Sequence, residues 1–176
     1  PVIRMAKEFW VNRRAPTLTV GEFHVSHHRC WPWDLDLWLE LNNGRALTLY
    51  DLGRLVLAKR TGLLTLLKEK GWSMPMAGAS VRYRRRVHVF ERFEMKSRGL
   101  CWDERFFYIE QSMWKKNDEC AGHIIYRCAF VDKAGIINPE RVIEALGVEI
   151  EQPSIPEWIA KWIEAENNRP WPPDKE

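Results

Sequence analysis

Between Pro32 and Arg54 the chain threads acids and amides through a dense apolar background. Asp34, Asp36, Glu40, Asn42 and Asn43 are interleaved with Trp33, Leu35, Leu37, Trp38, Leu39 and Leu41, and Asp51 and Arg54 follow inside the run LTLYDLGRLVLAKRTGLL. Apolar surface of this density is destined for burial, where polar groups are costly unless hydrogen-bonded or put to use. Two kinds of use are open. A polar side chain ahead of a helix can cap its unpaired N–H groups, whereas a carboxylate in a pocket can move a proton or attack an electrophile. Asn42 or Asn43 is placed to be the N-cap, which leaves the other amide to face a pocket. Asp51 and Arg54 stand at i,i+3 on one helix face and can pair. Buried, such a pair is expensive to desolvate and poor at stabilising, so it is a candidate for function as well as for structure or an interface.

The elements that must position these groups follow from periodicity. Residues 1–21 read as an N-terminal extension: the amphipathic stretch IRMAKEFWV and then the breaker RRAPT. EFHVSHHRC (22–30) alternates as a strand, with Phe23, Val25 and His27 on one side, and Pro32 ends it. A helix is expected from about Arg45 to Lys70, bent or broken at Gly62 and closed by Gly71. The period then changes to two. Strands are expected over 79–90, 92–102, 105–114 and 122–131, joined by turn residues such as Asp103-Glu104 and Lys116-Asn117-Asp118, and paired consecutively and antiparallel. Asn138-Pro139 opens a short helix that Gly147 stops, and a last helix spans about 157–166 in a C-terminal helical extension, 151–176. The 46–67 helix is apolar around most of its circumference, so the sheet must curl around it. That is an α+β hot-dog arrangement, here occupying residues 22–150.

Composition narrows the classes. A length of 176 residues suits one domain. No stretch approaches the ~20 apolar residues of a membrane span, and no signal-peptide core is visible. The chain begins at Pro1 without Met, which suggests a trimmed start with room for an anchor or address upstream. The four cysteines form no CxxC pair and His27 and His28 cannot both face one metal from a strand. Reduced thiols, no metal, no cofactor and a cytoplasmic setting are therefore expected. The run Arg82, Arg84, Arg85, Arg86 invites a nucleic-acid reading, but a net charge of +3 is too small for a phosphate-tracking surface.

The order of motifs resembles the 4-hydroxybenzoyl-CoA thioesterase type of the hot-dog superfamily, in the branch around thioesterase superfamily member six. Its entry motif Pro-x-Asp-x-Asp is Pro32-Trp33-Asp34-Leu35-Asp36 here. Its His-x-Asn-Asn-Gly-Arg-Tyr segment is Glu40-Leu41-Asn42-Asn43-Gly44-Arg45-Ala46, and its helical Asp-x-x-Arg is Asp51-Leu52-Gly53-Arg54. Arg60-Thr61-Gly62-Leu63, ASVRYRRRVHVFERFE and Trp102-Asp103-Glu104-Arg105-Phe106-Phe107-Tyr108 also match family segments. The resemblance implies a hydrolase acting on acyl-CoA or an acyl-carrier thioester. A carboxylate would act as nucleophile or general base while the start of the central helix polarises the carbonyl. Asp36 matches the position most used in that branch, with Asp51 and Asn43 as further catalytic candidates. Asn42, Glu40, Arg54, Arg84 and Arg86 are substrate-binding candidates, Arg84 and Arg86 for coenzyme A phosphates. Glu40 for the usual His, and Ala46 for the usual Tyr, keep a non-catalytic acyl-thioester or lipid-binding protein as the alternative. The Tyr-to-Ala change also implies a roomier pocket for medium to long acyl chains. A homodimer or homotetramer is expected, because a lone sheet of this kind has open edges.

Overall fold

The computed structural model describes residues 2–175. Helix α1 (Val2–Val11) leads to strand β1 (His24–Arg29), a 3-10 turn (Pro32–Asp34) and the central helix α2 (Asn43–Arg60), followed by α3 (Leu63–Lys70). Strands β2 (Met76–Tyr83), β3 (Arg92–Trp102), β4 (Phe106–Lys115), β5 (Cys120–Asp132) and β6 (Gly135–Ile137) precede α4 (Pro139–Leu146) and α5 (Glu157–Asn168). The sheet order is β1-β3-β4-β5-β2, antiparallel throughout, with β6 added to β5.

Leu49, Leu52 and Leu57 of α2 are buried in the main core with Met95, Ile109, Ile124 and Phe130 of the sheet. The approach is closest at Gly53, where a Cβ would meet Ser97 Oγ at 2.5 Å and Met95 Sδ at 2.9 Å. Gln111 bridges the two layers, donating from Nε2 to the Tyr50 carbonyl (2.8 Å) and to Ser97 Oγ (2.7 Å). On the opposite side of the sheet, α5 buries Ile159 against a second cluster that includes Phe106, Tyr108 and Ile125. The sheet wrapped on a central helix is the expected hot-dog arrangement.

Several elements depart from expectation. The long helix starts at Asn43, earlier than the expected Arg45, and of the two outcomes expected at Gly62 it takes the break: Gly62 has φ of +78°, a left-handed conformation that glycine adopts without steric penalty. The strand expected over 79–90 runs from Met76 to Tyr83, because the amides of Arg84 and Arg85 both turn to the Ala121 carbonyl and the chain leaves the ladder. Consecutive pairing holds for β3, β4 and β5, whereas β2 pairs with β5 and lies at the edge. Strand β6 was not foreseen. The expected alternation of β1 holds, with Val25 and His27 together on the exposed side, but the inward side is the polar one of His24, Ser26 and His28. The inward groups have polar partners, Arg60 for His24 (3.0 Å) and Ser26 for His28 (2.8 Å). Burial drives both imidazoles neutral, with His24 held down to about 4 and His28 to about 3.

All four cysteines are free, and burial pushes the Cys101 thiol up to about 12, so it is a neutral packing group. Among the described residues no cluster of ligating side chains could hold a metal ion, and no helix is long and apolar enough to cross a membrane.

Candidate active site

The entry loop is folded around two aspartates with opposite surroundings. Asp34 is fully buried and accepts hydrogen bonds from Arg4 (2.6 Å), the Trp31 amide (3.0 Å) and Arg45 (3.0 Å). Burial alone would raise its pKa, but the hydrogen bonds from Arg4, Trp31 and Arg45 outweigh this and hold the carboxyl below the usual range. Asp34 therefore ties α1, the loop and the first turn of α2 together. Asp36 is half-buried and closes a tight loop. Its Oδ1 accepts from the amides of Trp38 (2.9 Å) and Glu40 (3.4 Å), and its own amide donates to the Glu40 carbonyl (2.9 Å). Leu39 takes φ of 60° to complete the turn. Asp36 thus braces the loop that carries Glu40, and it does not cap α2.

Asn42 is the N-cap, its Oδ1 accepting from the amides of Gly44 (2.9 Å) and Arg45 (3.1 Å). With Ala46 N–H bonded to the Asn42 carbonyl, only the Asn43 N–H is left without a partner in the first turn among the described residues. It opens toward a cleft of about 220 Å³ lined by Glu40, Leu41, Asn43, Ala46, Tyr50, Tyr83, Val87, Met113 and the arginines 84–86. Glu40 is the carboxylate in that lining, 2.8 Å from Arg86 Nε in an ion pair. Arg85 is paired with Glu119, while the Arg84 side chain has no carboxylate partner among the described residues.

One lining group was not singled out in the sequence. Tyr50 is 1% exposed, and its hydroxyl is buried with no hydrogen-bond partner among the described residues. Burial raises its pKa, so it remains an O–H donor with nothing to donate to. The available signal was its spacing, one turn beyond Ala46 on the same helix face, but a tyrosine in an apolar run reads first as packing.

Asp51 and Arg54 do pair, at 2.7 Å, but neither lines this cleft. The Asp51 side chain is 40% exposed, and the Arg54 guanidinium lies 4.6 Å from the Tyr126 ring centroid. Asn43, Leu47, Asp51 and Arg54 form one stripe along α2. Leu47 and Asp51 in it are left partly open by the chain's own sheet. The structure thus brings together Glu40, Asn43, Arg84 and Arg86, with Asn42 capping behind them. Asp36 is placed in the supporting loop and the Asp51–Arg54 pair further along the helix.

A family model, the thioesterase-like superfamily, matches residues 30–163. Protein THEM6 of Xenopus laevis is 33% identical over 135 residues, 75% of this chain and 63% of that protein, so the chain spans less than two thirds of this relative. Protein THEM6 of Danio rerio is 29% identical over 159 residues, 88% of this chain and 77% of that protein. Among solved structures, the DHNA-CoA thioesterase from Staphylococcus aureus is similar at a TM-score of 0.60 and 13% identity, over 82% of this chain and 91% of that one. The 1,4-dihydroxy-2-naphthoyl-CoA thioesterase from Synechocystis is similar at 0.61 and 9% identity, over 71% and 95%. At these identities the structural likeness establishes the fold.

Proposed function

Because the chain belongs to the thioesterase-like superfamily, we propose that it hydrolyses an acyl thioester, of coenzyme A or an acyl carrier, in the cleft at the start of α2. One observation carries this reading: Tyr50, whose buried hydroxyl has no partner among the described residues, and Asn43, whose N–H is unpaired, line the same cleft as Glu40. The two donors suit a developing oxyanion, and the carboxylate suits a water. Glu40 takes a proton from water as its oxygen bonds to the carbonyl carbon. Asn43 N–H and Tyr50 O–H hold the oxyanion. The tetrahedral intermediate collapses, the C–S bond breaks, and the thiolate departs without strong acid assistance. Arg86 orients Glu40, and Arg84 on the rim is free to meet a coenzyme A phosphate.

The acyl group enters between Leu41, Ala46, Val87 and Met113. Ala46 is buried and small, so methylenes occupy the space a tyrosine would fill, each contributing about 0.8 kcal/mol when buried. Medium to long chains are preferred on this reading. The free thiols are consistent with a reducing compartment such as the cytoplasm. The Glu40–Arg86 ion pair favours one second reading, a protein that binds acyl thioesters without turning them over, since the carboxylate oxygen held by the guanidinium is already engaged and not free to meet a water.

Thiol release measured over acyl-CoAs from acetyl to palmitoyl separates the two. Hydrolysis should rise with chain length, fall about hundredfold in Tyr50→Phe through loss of one oxyanion donor, and shift toward short chains in Ala46→Tyr. Saturable binding without thiol release establishes the second reading. A chain-length profile indifferent to Ala46→Tyr refutes the open-pocket account.

A further inference from the structure

A second and larger depression, of about 890 Å³, lies where α1 crosses the β1–β3–β4 end of the sheet. Its chemistry is unlike that of the acyl cleft, with which it shares no lining residue. Arg29 of β1 and Arg92 of β3 are direct partners in the antiparallel register, an arrangement that destabilises a sheet when the charges are alike. The next pair on the other side of β3 is Phe93 with Lys115, where β4 ends. Two cations are thus paired across β1 and β3, a third, Lys116, lies in the turn just after β4 and lines the same depression, and none of the three has a carboxylate ion-pair partner among the described residues. The acids in the lining are placed elsewhere: Glu8 lies 3.9 Å from His28 and 3.5 Å from Lys7, Glu94 lies against His27 and Lys96, and Asp118 stands on the lip. From the α1 side, Arg4 contributes a buried guanidinium nitrogen with no partner among the described residues, its other terminal nitrogen holding Asp34. Trp31, with Arg29 over its ring at 5.5 Å, and Trp114 provide flat walls.

We propose that this groove is a binding site for a small organic anion with clustered phosphates, held by Arg29, Arg92 and Lys116 with its flat or apolar part on Trp31 or Trp114. Unpaired guanidinium groups side by side match the geometry of pyrophosphate or bisphosphate oxygens, and a bound polyanion converts the Arg29–Arg92 opposition from a cost into a clamp. The inference stands apart from the hydrolytic reading, since none of these residues belongs to the acyl cleft.

The test is calorimetric titration of the full chain with inorganic pyrophosphate, ADP and inositol trisphosphate at low salt. Saturable binding of one anion per chain is expected, weakening as salt rises. Arg29→Gln and Arg92→Gln should each weaken it about tenfold or more, as expected for a lost charge-assisted hydrogen bond. Without ligand, Arg92→Gln should melt higher than the wild type, because the like-charge opposition is relieved, and pyrophosphate should raise only the wild-type melting temperature. Preference for ADP with a change in tryptophan fluorescence identifies a nucleotide or coenzyme source. Preference for inositol trisphosphate, reproduced on vesicles carrying phosphatidylinositol bisphosphate, identifies a lipid headgroup. Absence of saturable binding by all three anions overturns the proposal, as does binding unchanged in the Arg29→Gln/Arg92→Gln double variant. Failure of thiol release in the acyl-CoA assay leaves it standing.

Discussion

Asp34 and Asp36 are two residues apart in one loop, yet their environments assign them different work. Asp34 is sealed between two arginines, so Asp34→Asn takes the charge from the bonds to two partly buried guanidinium groups and should cost about 1.5–3 kcal/mol in urea denaturation. Asp36 spends one oxygen on the loop amides while Glu40 faces the cleft. Glu40→Gln should therefore lower turnover at least about hundredfold with little change in melting temperature, whereas Asp36→Asn should lose stability and keep most of its rate. The reverse outcome assigns the base to Asp36, the position the family resemblance favours. Acid sensitivity follows from the same buried groups. The contribution of neutral His24 is complete above its unfolded pKa of about 6.5 and lost as pH falls through its folded value of about 4. That of Asp34 is complete above its unfolded pKa near 4 and lost as pH falls through its depressed folded value. Urea midpoints should fall in two stages on acidification, and a midpoint unchanged from about pH 7 to about pH 5 would contradict the histidine stage. That acids, amides and a helix start lay together was legible in the sequence. Which carboxylate meets the cleft was not, because side-chain direction in an irregular loop depends on the turn at Leu39 and on donors from α1, thirty residues away in sequence from Asp34.

At the scale of elements, the contact between α2 and the sheet turns on Gly53. Gly53→Ala should favour an isolated helix by up to about 1 kcal/mol. In the folded protein the added methyl would press on Ser97, Met95 and Gln111 at 3.0 Å or less, and overpacking of this kind typically costs about 1–3 kcal/mol. A net loss of stability is expected, measured as a lowered urea midpoint, and an unchanged or raised midpoint would mean that the layers separate easily. Elements whose signals are local were legible: β3 runs over the expected 92–102, and α4 has Asn138 as N-cap and Gly147 as C-cap. Elements defined by distant partners were not. Alternation in RYRRRVHVF continues beyond Tyr83, but Val87 is buried because its carbonyl accepts from Leu41 N–H of the entry loop, not because a strand continues. The two sides of β1 were legible, but which of them points inward was not, for the same reason, since inward His24 meets an arginine thirty-six residues further along.

For the whole molecule, the decisive feature is the difference between the two sheet edges. β1 is six residues long and carries three histidines and an arginine, a blunted edge. β2 is eight residues long, reads MAGASVRY with one charge, and pairs only with β5. An edge of this length with a single charge invites another strand. The acyl cleft lies along it: Tyr83 of β2 donates to the Asn43 carbonyl (3.0 Å), and the partly exposed Leu47–Asp51 stripe of α2 looks the same way. At about 220 Å³ the cleft is also smaller than the roughly 300–1,000 Å³ of a typical ligand pocket, as expected if a second chain supplies its missing wall. We therefore expect a two-fold dimer joined through β2, with a dimer of dimers as its possible extension. Light scattering at micromolar concentration should give twice the 20.9 kDa chain mass or a multiple of it. Ala79→Lys, an exposed mid-strand position, would bring like charges together across the joint. The variant should be monomeric, folded by circular dichroism, and impaired in thiol release by about tenfold or more, since positioning alone can carry losses of that size. A wild-type chain that is monomeric and fully active would show that one copy completes the cleft, and the edge of β2 would then need another explanation.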